Sequence, residues 1–131
     1  MRNSSLNLII TANATCKDLL SCLYDLSSSD MALLTLLLRR AKPQALDDLA
    51  AYMGRDRGTV FRSLQKLVSL GFCTKQTVNL KEGGYKHLYN ATGIEQIENN
   101  AEHRVKEIQS SLNRLMKKFS QDIINMAASE Q

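Results

Sequence analysis

The sequence predicts a mainly α fold of the α+β class, helices around one β-hairpin, and three observations point to it. Only 5% of the 131 residues are aromatic and there is a single proline, which favours helices over sheets. Apolar residues recur three and four apart through most of the chain, the period of an amphipathic helix. Between Phe72 and Asn90 that period gives way to a β-tolerant run before Gly83-Gly84 and to alternation of Tyr85, His87 and Tyr89 after it, the pattern of a hairpin. A chain of this length supports one compact core and an appendage without a metal or disulfide staple. The expected division is an N-terminal segment and helix over 1–26, a compact domain over 27–92 and a C-terminal helix over 93–131.

The first helix is expected from Thr15, where Thr15-x-x-Asp18 has the form of a capping box and Leu19, Leu20, Leu23 and Leu26 follow at helical spacing. A second start falls at Ser27, with Asp30 at its third position and Leu26 and Met31 spaced as a hydrophobic staple. The helix they open, Met31 to Leu38, is apolar almost all round and should be central and buried. Lys42-Pro43 ends it. A short helix over Leu46 to Met53 stops at Gly54, Arg55 and Asp56 form a turn, and Asp56 caps a helix over Arg57 to Leu70 that ends at Gly71. Two helices of these lengths joined by a short glycine-containing turn make a helix-turn-helix. Strands over Phe72 to Leu80 and Tyr85 to Asn90, joined by Lys81-Glu82-Gly83-Gly84, add a two-stranded wing, with Tyr85 and Tyr89 expected on its core side.

The final helix should run unbroken from about Gly93 to Ala128, because Ile94 through Met126 form one apolar stripe at about 3.6 residues per step. At 1.5 Å per residue such a stripe spans roughly 50 Å, more than the width of a small domain. Its far half, with Ile108, Leu112, Leu115, Phe119 and Ile123, therefore needs a partner outside its own core, and a second copy of the chain is the simplest. A homodimer follows as the expectation.

The net charge of +4 is unevenly spread. Ten basic residues stand against four acidic ones between Arg39 and Lys86, whereas the rest of the chain is slightly acidic. That is the electrostatic footprint of a nucleic-acid-binding unit. On the second helix of the motif, Val60, Leu64, Leu67 and Val68 share a face, and Arg62 falls almost opposite at about 100° per residue. Arg62 is accordingly expected to read a base edge, with Thr59 and Gln65 near neighbouring bases and Arg55, Arg57 and Lys66 on phosphates. Phe61 lies at the boundary of the core, and Lys81, Lys86 and His87 of the wing are placed to reach the minor groove or flanking phosphates of double-stranded DNA.

Other classes find little support. Cys16, Cys22 and Cys73 form no CxxC and have no histidine at zinc spacing, so no metal or cofactor is expected and buried packing is the simplest role for them. His87 and His103 have no nucleophile, paired carboxylate or phosphate loop beside them in the sequence, which argues against an enzyme. The polar start Met1 to Ser5 and the short run from Leu6 to Ile10, interrupted by Asn7, do not make an export signal. The apolar stretch Met31 to Leu38 is far below the roughly 20 residues that span a bilayer, so a cytoplasmic protein off the membrane is expected. Two rivals remain: a winged helix used for protein interaction in a transcription complex, against which the basic polar helix face speaks, and a redox-responsive regulator working through an exposed cysteine.

The run Leu49-Ala50-Ala51-Tyr52-Met53-Gly54, then Thr59-Val60-Phe61-Arg62-Ser63-Leu64-Gln65-Lys66-Leu67, then Leu70-Gly71-Phe72, resembles the pattern of the TrmB/MarR-like winged-helix regulators, especially small archaeal-type members. The wing around Gly83-Gly84-Tyr85 is similar too, and the likeness covers about 27–92. It implies dimeric, sequence-specific DNA binding and transcriptional control. The chain departs from the pattern at Ala45, where relatives carry a capping Ser or Thr, and at Gly58, which stands for the usual Ser. The sugar-binding C-terminal domain of larger TrmB proteins has no counterpart in the sequence, so a carbohydrate effector is not expected.

Overall fold

The computed structural model describes residues 5–129; the polar start Met1 to Ser4 and the last two residues of the 93–131 segment lie outside the described residues. Helices α1 (Ser5–Ile9), α2 (Cys16–Tyr24) and α3 (Ser28–Arg39) lead into strand β1 (Gln44–Ala45), α4 (Leu46–Met53) and α5 (Arg57–Ser69). Strands β2 (Cys73–Asn79) and β3 (Tyr85–Ala91) follow, then α6 (Ile94–Lys117) and α7 (Phe119–Ala128). The fold is a mainly helical winged helix-turn-helix with a long C-terminal helical arm.

The helix starts form where the cap chemistry places them. The Asp18 carboxylate accepts from the Thr15 backbone N–H at 3.0 Å. At α3 the exchange is reciprocal: Ser27 N–H donates to Asp30 Oδ2 at 3.0 Å and Asp30 N–H to Ser27 Oγ at 3.1 Å. Gly54 ends α4 at φ +65° and Gly71 follows α5 at φ +84°, left-handed conformations that a side chain would strain.

α3 is the centre of the core. Leu33, Leu34 and Leu37 are at most 1% exposed, and they meet Leu49 of α4, Val60, Leu64 and Leu67 of α5 and Phe72, all equally buried. Each such side chain contributes about 1.5–3 kcal/mol by leaving water. Tyr24 packs edge-on against Phe72, ring centroids 4.8 Å apart, and so joins α2 to this core.

Three features differ from the expectation. The wing is part of a three-stranded antiparallel sheet in the order β1-β3-β2, with Gln44 opposite Tyr89 and Ala45 opposite Leu88. A two-residue strand has no periodicity to detect. The C-terminal arm is not one helix: Lys118, at φ −104° and ψ 7°, separates α6 from α7, and no glycine or proline marks the break. Tyr89 is buried at 3%, but Tyr85 is exposed and leans on His87, because β3 starts beyond the edge of the core and reaches it only at Tyr89. The short α1 leaves Leu6 and Ile10 exposed.

Candidate nucleic-acid interface

The turn between α4 and α5 sets the geometry of the outward face. Asp56 caps α5 by accepting from the Thr59 N–H at 3.1 Å and the Thr59 hydroxyl at 2.5 Å. Those two bonds hold the Asp56 carboxyl below its usual range. Arg62, one turn on, is exposed and donates to the Thr59 hydroxyl oxygen at 3.3 Å, so Thr59 and Arg62 stand as a connected pair. A Cβ at Gly58 would stand 3.3 Å from Asp56 Oδ2, tight enough that the capping carboxylate would have to give by a few tenths of an ångström, and in ordinary contact at 3.5 Å with an Arg62 nitrogen.

Two shallow grooves connect α5 to the wing. One, of about 360 Å³, brings Arg57 and Phe61 of α5 together with Tyr85, Lys86 and His87 of β3 and Asp47 of α4. Within it Arg57 Nε lies 2.7 Å from Asp47 Oδ1; both side chains are well exposed, so the pair orients Arg57 more than it stabilises the fold. His87 Nδ1 and the Thr77 hydroxyl, 3.0 Å apart, link the two wing strands beside it. The second groove, about 260 Å³, gathers Phe61 and Gln65 with Lys75 of β2 and Tyr89. Arg55 is exposed in the turn before α5, and Lys81 is exposed in the hairpin turn beyond both grooves.

Lys66 is placed elsewhere. Its ammonium donates to the Asp25 carbonyl at 2.5 Å and lies 3.3 Å from Asp30 Oδ2, so it points to the junction of α2 and α3 instead of standing free for a phosphate. Asp30 is 5% exposed and also accepts from the Ser63 hydroxyl at 2.6 Å. Burial pushes the Asp30 carboxyl up, but the bonds from Ser63, Ser27 and Lys66 outweigh it and leave the group below its usual range. In the sequence Asp30 reads only as a helix cap, and the spacing on α5 assigns Ser63 no role. A serine on the apolar face of α5 was the available signal, since a buried hydroxyl needs a partner.

At its other end α5 is tied to the C-terminal arm. Asn100 of α6 donates to the Leu70 carbonyl at 2.9 Å and accepts a short hydrogen bond from the Tyr24 hydroxyl. Arg104 Nε donates to the Leu23 carbonyl at 3.2 Å. Among the cysteines only Cys73 is buried, and burial pushes its thiol up to about 11; Cys16 is exposed and Cys22 half-buried, so packing accounts for one of the three.

Helix-turn-helix, glycine-turned wing and a polar cationic face on the second helix define a winged-helix transcriptional regulator. A profile of the family described as "Sugar-specific transcriptional regulator TrmB" matches residues 20–95, more than half of the chain, and the chain belongs to that family. Its fold is similar to a possible transcriptional regulator from Methanosarcina mazei Go1, with a TM-score of 0.74 and 24% identity, covering 83% of this chain and 94% of that one. The ST1889 protein from Sulfolobus tokodaii superposes with a TM-score of 0.62 and 26% identity over 73% of this chain and 93% of that one. An uncharacterised protein of Methanocaldococcus jannaschii, MJ1503, is 33% identical over 82 residues, 63% of this chain. The match spans 61% of that relative's length. Among the described residues no helix is long and apolar enough to cross a membrane.

Proposed function

We propose that the chain is a sequence-specific DNA-binding regulator that acts as a homodimer on a pseudo-palindromic site in the cytoplasm, and that it is a binding protein rather than an enzyme. The observation that carries the reading is the connected pair Thr59 and Arg62 on the exposed face of α5, with Arg57 and Lys86 together on the rim of the neighbouring groove. A guanidinium on the helix that this motif presents to the major groove suits a guanine edge, while Thr59 and Gln65 meet adjacent bases. Arg55, Arg57, Lys81 and Lys86 supply phosphate or minor-groove contacts. Lys66 is assigned instead to holding α5 in place. The 27–92 unit is the DNA-binding part and the 93–131 arm the dimerising part. A protein-interaction role would favour an apolar or acidic α5 face, and this one is cationic and polar.

Binding measured over a salt series is the test. Affinity for a specific site should fall steeply with salt, with log K dropping by about 0.9 per log unit for each phosphate neutralised. Arg62→Ala should keep most of that slope and lose discrimination between sites. Salt-indifferent binding, or unchanged discrimination in Arg62→Ala, contradicts the proposal.

A further inference from the structure

Arg39 and Arg40 belong to the basic surplus between Arg39 and Lys86, but they do not stand on the face that α5 and the wing share. Arg39, the last residue of α3, lies nine residues beyond Asp30, about 180° around the helix at 100° per residue. Asp30 meets Ser63 and Lys66 of α5, so Arg39 points away from α5. The short helix α4 is two-sided in the same way. Asp47, on the flank beside Arg57 and the wing, is about 140° around from Tyr52. Arg40 joins Tyr52 on the far side, its guanidinium 4.1 Å from the centre of the ring.

A shallow groove of about 280 Å³ runs along this far side, between α3 and α4 and beside the start of α2. Ala32, Leu36 and Met53 supply its apolar lining, and Lys17, Arg39 and Tyr52 stand exposed around it. Thr35 also lines it, but donates its hydroxyl to the Met31 carbonyl at 2.8 Å. No carboxylate lines the groove, and among the described residues Lys17, Arg39 and Arg40 form no ion pair. Asp48, one turn before Tyr52 on α4, pairs with none of them. Tyr52 is 69% exposed, so its ring adds little to the burial that holds the fold together.

Unpaired cations around an apolar slot suit a protein better than a duplex. Phosphate contacts need only the charge, whereas the slot and the ring beside it offer burial to an apolar side chain. Tyrosine and arginine are the side chains that anchor protein interfaces, and Arg40 already holds the Tyr52 ring, so less freedom is lost on docking. The cations in turn select carboxylates.

We propose that the α3–α4 face is a docking site for an acidic segment of a partner protein. One apolar side chain of that segment seats between Tyr52 and Leu36, and its carboxylates lie against Lys17, Arg39 and Arg40. The site is separate from the reading of DNA by α5. Because the face points away from α5, one molecule can hold a duplex and this partner together.

A phage-displayed library of random dodecapeptides, selected on the full chain and depleted on a Lys17→Glu, Arg39→Glu variant, is the probe. It should enrich peptides with several Asp and Glu residues around one Leu, Ile or Phe. Their dissociation constant, read by fluorescence anisotropy, should rise about tenfold or more with Tyr52→Ala, and also when the apolar residue of the peptide is changed to Ser. Both variants should melt like the parent, since all three side chains are exposed. No enriched peptide, enriched peptides without acidic residues, or affinity unmoved by Tyr52→Ala overturns the proposal. So does a labelled duplex that binds the chain already saturated with its own selected site and is lost in the Lys17→Glu, Arg39→Glu variant, which would make this face a second DNA seat. The peptide readout needs no DNA, so it is decided separately from the α5 reading.

Discussion

Arg62 and Lys86 are both exposed cations, but their surroundings differ. Arg62 stands in a fixed relation to Thr59 on α5, whereas Lys86 sits on the wing rim. Arg62→Ala should cost roughly 1–3 kcal/mol and relax preference at one position per half-site, while Lys86→Ala should weaken all sequences alike and flatten the salt slope. Competition titrations with single-base variants of the site separate the two. Asp30 matters for a different reason. Its carboxyl accepts from Ser27, Ser63 and Lys66 in the interior, so Asp30→Ala leaves buried donors unmatched and should destabilise the fold by about 2 kcal/mol. Because the folded pKa lies below the unfolded one, this stability is complete above the ordinary carboxylate range and is lost as pH falls through the folded value. Thermal melts from pH 7 down to pH 3 should show the parent losing stability below about pH 4, with Asp30→Ala starting lower and changing less over that range. Parallel curves would show that Asp30 does not carry the effect.

Among the elements, those with caps and periodicity were legible in the sequence. Ser27 with Asp30, Asp56, Gly54 and Gly71 marked the ends of α3, α4 and α5 to within a residue or two, because each feature acts locally. What escaped was set by tertiary structure. β1 exists because β3 offers it an edge, the break at Lys118 has no local breaker, and Lys66 turns inward because Asp30 and the Asp25 carbonyl are there to receive it. The outward face of α5 was legible from the wheel, but not the Asp47 carboxylate that orients Arg57 from ten residues away. The tether between α5 and α6 was also hidden. Asn100→Ala removes the bond to the Leu70 carbonyl and the acceptor for Tyr24, and should cost about 1–2 kcal/mol of stability. If the tether aligns the two reading helices, the variant should also bind its site less tightly while remaining a dimer by sedimentation. Unchanged affinity at full folding would leave Asn100 a purely structural contact.

In the whole molecule a winged-helix unit with a cationic α5 face is joined to an arm whose far half stays about half exposed among the described residues. A chain ending at Glu107 should keep the winged-helix core, since α3, α4, α5 and the sheet bury one another without the lost residues. It should become mainly monomeric and lose most of its affinity for a two-half site, because the second half-site contact is no longer intramolecular. Random-site selection with the full chain is the decisive measurement. A dimeric regulator of this build should enrich a pseudo-palindrome whose half-sites lie about one helical turn, roughly 34–36 Å, apart. No enriched motif, or a single asymmetric one bound equally well by the truncated chain, would contradict it.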